Sequence, residues 1–260
     1  MAVPFRRARF LTLLLPFALC SCDSLLLYSE SDMNAMGLKA YAEETGKFKQ
    51  ISGTAQAKMV NEVGRRIAQA CGKQYEWEFK LLDAPDVVNA FALPGGKIAV
   101  YSGLLKVAPD PDSLAAVLGH EIAHATLQHG NKRMSQAKIA GLSMAATQLI
   151  LDGAWEKGSK ESKALVLGGL GVAVQGTVLL PYSRSHESEA DAQGLEYLMR
   201  AGYDPQAAPK LWERMHQLSG GGDKSVIDRF MSTHPHSLDR AEALRKLIPV
   251  LQQKLANEKK

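Results

Sequence analysis

The sequence predicts an α+β fold, mainly helical with one small β-sheet, and three observations carry that prediction. Tyr75-Glu76-Trp77-Glu78-Phe79-Lys80-Leu81 alternates strictly between apolar and charged residues, the period of a half-buried strand. Residues 87–93 and 97–101 are two β-prone runs on either side of Pro94-Gly95-Gly96, a turn sequence. Everything from Asp112 onward has helical spacing. With 260 residues and 46% hydrophobic content, the chain can bury a sizeable core as one domain, and no repeat or low-complexity tract divides it.

Taken in order, residues 30–48 and 54–70 have the apolar spacing of helices, and the strand and the paired runs follow them. Asp112 and Ser113 are cap-type residues, Leu114-Ala115-Ala116-Val117-Leu118 are good helix formers and Gly130 is a stop. A helix is therefore expected over about 113–129. An Ala/Gly-rich helical pair over about 136–180, a helix from Ser185 to a stop at Gly202, and a last helix over 237–256 complete the chain. Residues 164–180 form an apolar run of 17 residues that contains Gly168, Gly169, Gly171, Gln175 and Gly176. That is short for a bilayer, which needs about 20 residues, and its glycines suit close helix packing. The run is read as a buried or membrane-facing helix of the domain.

The helix over 113–129 contains His120-Glu121-Ile122-Ala123-His124, an HExxH pentapeptide. Residues four apart on a helix lie one above the other, so His120 and His124 can reach a single tetrahedral metal ion. Glu121 stands where a carboxylate can accept a proton from an attacking water rather than ligate. This is the zincin pattern, and one Zn2+ per chain is expected. The apolar segment around the pentapeptide suits a buried metal helix.

The third ligand decides the class. Metzincins need a His six residues past the second one and a Gly three past it; here those positions are Gly130 and Leu127. His129 would be rotated about 140° from His124 on a continuous helix, and reads as a polar residue near the free carbonyls at the helix end. A carboxylate from a second helix remains. In Ser185-His186-Glu187-Ser188-Glu189-Ala190-Asp191, Glu187 and Asp191 are four apart and share a face. Glu187 is expected as the third ligand, with Asp191 orienting a ligating histidine from behind. Glu189, roughly 160° away from Glu187, is the lesser candidate.

HExxH followed some sixty residues later by Glu-x-x-Ala-Asp resembles the HtpX / CAAX prenyl protease type of zinc metallopeptidase family, in its periplasmic BepA- and LoiP-like lipoprotein branch. Asn89-Ala90-Phe91-Ala92-Leu93-Pro94-Gly95-Gly96 resembles that family's segment upstream of the zinc helix. Thr233-His234-Pro235 followed by Arg240 resembles its C-terminal motif. The resemblance covers about residues 30–250. It implies a gluzincin-type fold and a metalloendopeptidase in which Asn89, Ala90 and Phe91 lie on the sheet edge that binds an extended substrate. His234 and Arg240 would join Glu121 in catalysis. An oxyanion donor is needed besides the metal, and His234, Arg240 and Tyr182 are all of a suitable type. In the BepA-like branch the histidine matching His234 can also cover the open metal position and keep the enzyme latent. The resemblance alone implies the substrates, which are misfolded or unassembled cell-envelope proteins. A zinc-containing chaperone or assembly factor for envelope proteins is the alternative.

Arg6, Arg7 and Arg9 precede the apolar stretch 10–19, and Leu19-Cys20-Ser21-Cys22 resembles a lipobox. Residues 1–21 are expected to be a lipoprotein signal peptide, Cys22 the lipidated residue, 22–30 a linker and 31–260 the peptidase domain. Cys20 is the poorer acceptor, because bulky Leu19 precedes it; a plain secretory signal or an uncleaved anchor is the other reading. The expected place is the bacterial envelope, facing the periplasm and anchored by lipid to the inner or outer membrane. Removing three arginines from the 31 basic residues leaves 28 against 27 acidic ones, so the formal +4 comes mostly from the leader and no nucleic-acid partner is inferred. Cys71 then has no partner for an intramolecular disulfide and is expected to be a small, partly buried residue.

Overall fold

The computed structural model describes residues 25–154, 182–221, 234 and 238–258. The expected signal peptide, Cys22 and the run 164–180 lie outside the described residues. Helix α1 (Glu30–Thr45) and helix α2 (Ala55–Cys71) flank the two-residue strand β1 (Gln50–Ile51). Strands β2 (Glu78–Leu82), β3 (Ala90–Leu93) and β4 (Lys97–Tyr101) follow, then a 3-10 turn over Ser102–Lys106. Helices α3 (Pro111–Thr126), α4 (His129–Ala154), α5 (Arg184–Arg200), α6 (Ala207–Gly221) and α7 (Leu238–Glu258) complete the described chain.

The sheet order is β1-β2-β4-β3. β2 runs parallel to β4, with Glu78 opposite Lys97 and Leu82 opposite Tyr101, while β1 and β3 are antiparallel to their neighbours. β3 and β4 form a hairpin across Pro94-Gly95-Gly96, where Gly95 (φ 81°) and Gly96 (φ 84°) hold the left-handed conformation that a Cβ disfavours. The edge strand β3 is the part of the sheet closest to α3. β2 begins at Glu78 rather than Tyr75, and β1 is too short for sequence periodicity to reveal.

The main core joins α2, α3, α5, α6 and α7 to one face of the sheet, with Ile67, Ile98, Leu104, Leu114, Leu118, Ile122 and Leu198 fully buried. α3 is capped by Asp110, whose carboxylate accepts from Ser113 N–H at 2.9 Å, and Pro111 takes the first turn, where its missing N–H costs nothing. Each residue from Ser113 to His124 is buried, so polar groups on α3 must find partners inside the protein. Gly130 does not stop this helix. α3 ends at Thr126 with Leu127 as its cap, Gln128 takes φ 55°, and α4 begins at His129, with Gly130 inside it. α5 ends as expected before Gly202 (φ 77°), where Tyr203 N–H reaches back to Leu198 O at 3.1 Å. Cys71 closes α2, partly buried, with its thiol donating to Ala68 O at 3.0 Å.

Two hydrogen bonds bind Leu27 and Tyr28 to α4. Leu27 N–H donates to Ser135 Oγ at 2.8 Å, and Asn131 Nδ2 donates to Tyr28 O at 2.9 Å. Among the described residues no helix is long and apolar enough to cross a membrane.

Candidate active site

α3 delivers His120, Glu121 and His124 to one buried point, and α5 crosses it to deliver Glu187 and Asp191. His234 arrives between α6 and α7, and Arg240 comes from the first turn of α7. Ser183 caps α5 by accepting from His186 N–H at 3.2 Å, which starts the helix one turn before Glu187.

Four ligand residues converge. His120 Nε2 lies 3.0 Å from His124 Nε2 and 3.4 Å from Glu187 Oε2, and His124 Nε2 lies 3.3 Å from Glu187 Oε1. His234 Nδ1 is 3.2 Å from His120 Nε2 and 3.1 Å from Glu187 Oε1. A tetrahedral zinc ion with bonds of about 2.0–2.1 Å sets its ligand atoms about 3.3 Å apart. The quartet matches that spacing, and its donor set of three imidazoles and one carboxylate suits Zn2+. The residues present therefore fit the metal, with His234 at the fourth corner.

Electrostatics agree with a cation site. Burial would raise Glu187, but His120 and the imidazole contacts outweigh it and hold its carboxyl far below the usual range. Burial would lower His120, but Glu187 and Asp191 outweigh that and push it up to about 9. His124 is pushed well below its ordinary value, first by burial. Glu121 is raised, mainly by burial against the opposing charge of His234.

Behind the quartet, Asp191 Oδ1 lies 3.0 Å from His120 Nδ1. Arg240 donates from Nε and Nη2 to the two oxygens of Asp191 at 2.7 and 2.6 Å, and from Nη1 to Glu187 Oε2 at 2.6 Å. Its guanidinium stacks on Trp212 at 3.6 Å. Two of these donors point at Asp191, behind His120, and the third at Glu187, itself a corner of the quartet; the resemblance had implied a catalytic role for Arg240. His129 also departs from its expected role at the C-terminal end of the metal helix, since it opens α4 instead. It is fully buried, and its Nδ1 lies 2.8 Å from His124 Nδ1. Glu189 is no ligand in this geometry; its Oε2 lies 3.3 Å from His129 Nε2. No local pattern in the sequence marked either contact.

On the open side, a cavity of about 390 Å3 is lined by Asn89, Ala90, Phe91, Glu121, Tyr182 and His234. Its wall is the outer edge of β3, and Ala92 N–H reaches Glu121. Asn89 Oδ1 accepts from Ala90 N–H at 3.0 Å, while the Phe91 ring packs against Tyr41 and Tyr101. Tyr182 stacks on His124 at 3.9 Å between ring centroids, and burial holds its phenol protonated. His234 Nε2 lies 3.3 Å from Glu121 Oε1, so this one side chain faces both the metal corner and the carboxylate.

A buried HExxH helix that shares a metal-sized corner with a glutamate from a crossing helix, beside the edge of a small mixed sheet, is the zincin-type fold in its His-His-Glu form. The chain belongs to peptidase family M48, whose profile matches residues 54–248. It is 36% identical over 198 residues to Mitochondrial metalloendopeptidase OMA1 of Schizosaccharomyces pombe, covering 75% of this chain and 54% of that protein. It is 30% identical over 224 residues to Metalloprotease YcaL of Escherichia coli, covering 84% and 82%. It is 31% identical over 180 residues to Beta-barrel assembly-enhancing protease of Yersinia pestis, covering 68% and 35%. The chain spans about half the length of the yeast relatives it matches, 54% and 48%. The expected zinc metallopeptidase family therefore holds at family level.

Proposed function

We propose that this chain is a membrane-anchored zinc metalloendopeptidase that hydrolyses peptide bonds of misfolded or unassembled cell-envelope proteins. The observation that carries the reading is the His120, His124 and Glu187 corner set beside the Glu121 carboxylate and an open strand edge. A purely structural zinc site has no use for a placed carboxylate or an adjoining cleft.

Bound zinc supplies Lewis acidity, polarising the scissile carbonyl and lowering the pKa of water towards about 7. The chain's residues do the rest. An extended substrate pairs with the outer edge of β3 at Asn89, Ala90 and Phe91, using main-chain hydrogen bonds that tolerate many sequences. Glu121 accepts the proton of the attacking water and hands it to the leaving amine. Tyr182 lines the cleft as a protonated phenol and is our choice of donor to the developing oxyanion. Arg240 and Asp191 hold Glu187 and His120 in place, and His234 keeps the site covered until substrate displaces it. Replacing Glu121 by Gln should leave zinc bound and abolish cleavage of casein; cleavage by that variant would overturn the assignment.

The envelope setting is supported by the resemblance to two bacterial proteins named as a metalloprotease and as a β-barrel assembly-enhancing protease. Lipid attachment at Cys22 is supported by the lipobox-like sequence, and the fastening of Leu27 and Tyr28 to α4 would keep the domain close to such an anchor. Mass spectrometry of the mature N-terminus tests it.

His234 at the fourth corner also favours a second reading, a chaperone or assembly factor with a latent site. If the Glu121→Gln variant restores a deletion phenotype as well as wild type does, that reading replaces the first.

A further inference from the structure

Gln128 is the one non-glycine residue with positive φ among the described residues, and it stands between the end of α3 and the start of α4. Its backbone turns the chain so that His129 points back under the metal helix. The His129 ring is fully buried and stacks on His186 at 4.4 Å with 19° between planes. One ring nitrogen meets His124 and the other meets Glu189, whose Oε2 is also 3.5 Å from Lys132 Nζ.

The atoms leave one consistent order of protons. His124 faces the metal corner through Nε2, so as a neutral ligand it carries its hydrogen on Nδ1. That N–H donates to His129 Nδ1, 2.8 Å away, which must then be bare. His129 therefore carries its hydrogen on Nε2 and donates it to the Glu189 carboxylate at 3.3 Å. We propose that His129 and Glu189 form a relay that sets the tautomer and ring orientation of the zinc ligand His124, making His129 a positioning residue. On its Nδ1 side His120 meets a carboxylate, Asp191, directly; on its Nδ1 side His124 meets one only through a second imidazole. Groups behind a ligating histidine usually change metal affinity by about 10–100-fold. The inference rests on the zinc site proposed above.

The test is zinc affinity, measured by competition with a chromogenic chelator on the detergent-solubilised full chain. His129→Phe keeps the ring volume and the stack on His186 but removes the acceptor, and should weaken zinc by about 10–100-fold. His129→Asn shrinks the side chain but places an amide oxygen near the old Nδ1, and should recover much of that loss. Glu189→Ala alters a half-exposed residue, so it should leave folding intact and weaken zinc; combined with His129→Phe it should add nothing further. A packing role predicts the opposite ranking, with Phe near wild type and Asn worse, and that result would overturn the relay. So would independent, multiplying effects of His129→Phe and Glu189→Ala. A wild-type chain that takes up no zinc would overturn the metal site itself, and the relay with it.

Discussion

Gly119 and Gly194 meet backbone to backbone where α3 crosses α5: a Cβ on Gly119 would sit 2.8 Å from Gly194 O, and one on Gly194 would sit 2.7 Å from His120 N. The contact lies one residue from His120. It sets the distance between the helix that carries His120 and His124 and the helix that carries Glu187 and Asp191. Backbone on both sides cannot give way as a flexible side chain would.

Gly194→Ala should therefore push the two helices apart and loosen zinc more than its effect on the fold suggests. Overpacking of this kind costs about 1–3 kcal/mol. Zinc competition and thermal unfolding on the same sample check it; a variant that melts early but binds zinc normally would show that the crossing does not set the site.

His234→Ala opens the fourth corner and frees Glu121 from its imidazole neighbour. Basal cleavage of casein should rise several-fold if His234 is a cover. Activity at or below wild type would assign it to catalysis or structure instead.

Arg240→Met keeps apolar contact with Trp212 but removes the charge shared by Asp191 and Glu187. Leaving buried carboxylates uncompensated costs about 3–5 kcal/mol. The loss should be larger in the metal-free protein, since zinc restores positive charge beside Glu187. Chemical unfolding with and without zinc measures the difference.

Gln128→Gly removes the Cβ from a left-handed residue and should stabilise the protein by about 0.5–1 kcal/mol, provided the α3–α4 turn stays as it is. Urea unfolding of the metal-free protein at neutral pH checks this.

Tyr41 donates its hydroxyl to Ile98 O at 2.9 Å, and burial, followed by the charge of Glu78, pushes its pKa well above 10. An acid raised in the folded state favours its protonated form there. Its contribution is therefore fully present below about pH 10 and is lost as pH rises through the folded value. Tyr41→Phe should cost about 1 kcal/mol at pH 8 and reduce the fall in stability above pH 10, as unfolding at a series of pH values would show.

Much of the centre is legible in the sequence because it is written within single helices. The four-residue spacing of His120 and His124, and of Glu187 and Asp191, follows from helix geometry whatever surrounds it. Pro94-Gly95-Gly96 marks the hairpin because few residues accept two successive left-handed conformations. Gly130 misled because a glycine after a helix usually ends it, whereas here Gln128 bears the unusual φ and Gly130 continues into α4.

The sequence by itself pointed to the helix that carries His120 and His124, to the Glu121 carboxylate beside them, and to a second helix with a carboxylate to add. These are short-range facts, set by residues within one or two turns of each other. Only the tertiary structure decided that Glu187 meets the histidines while Glu189 turns to His129, that Arg240 lies behind the site, and that His234 reaches the fourth corner. Each of those depends on how α3, α5 and α7 cross, and a crossing is set by close packing between residues far apart in the chain.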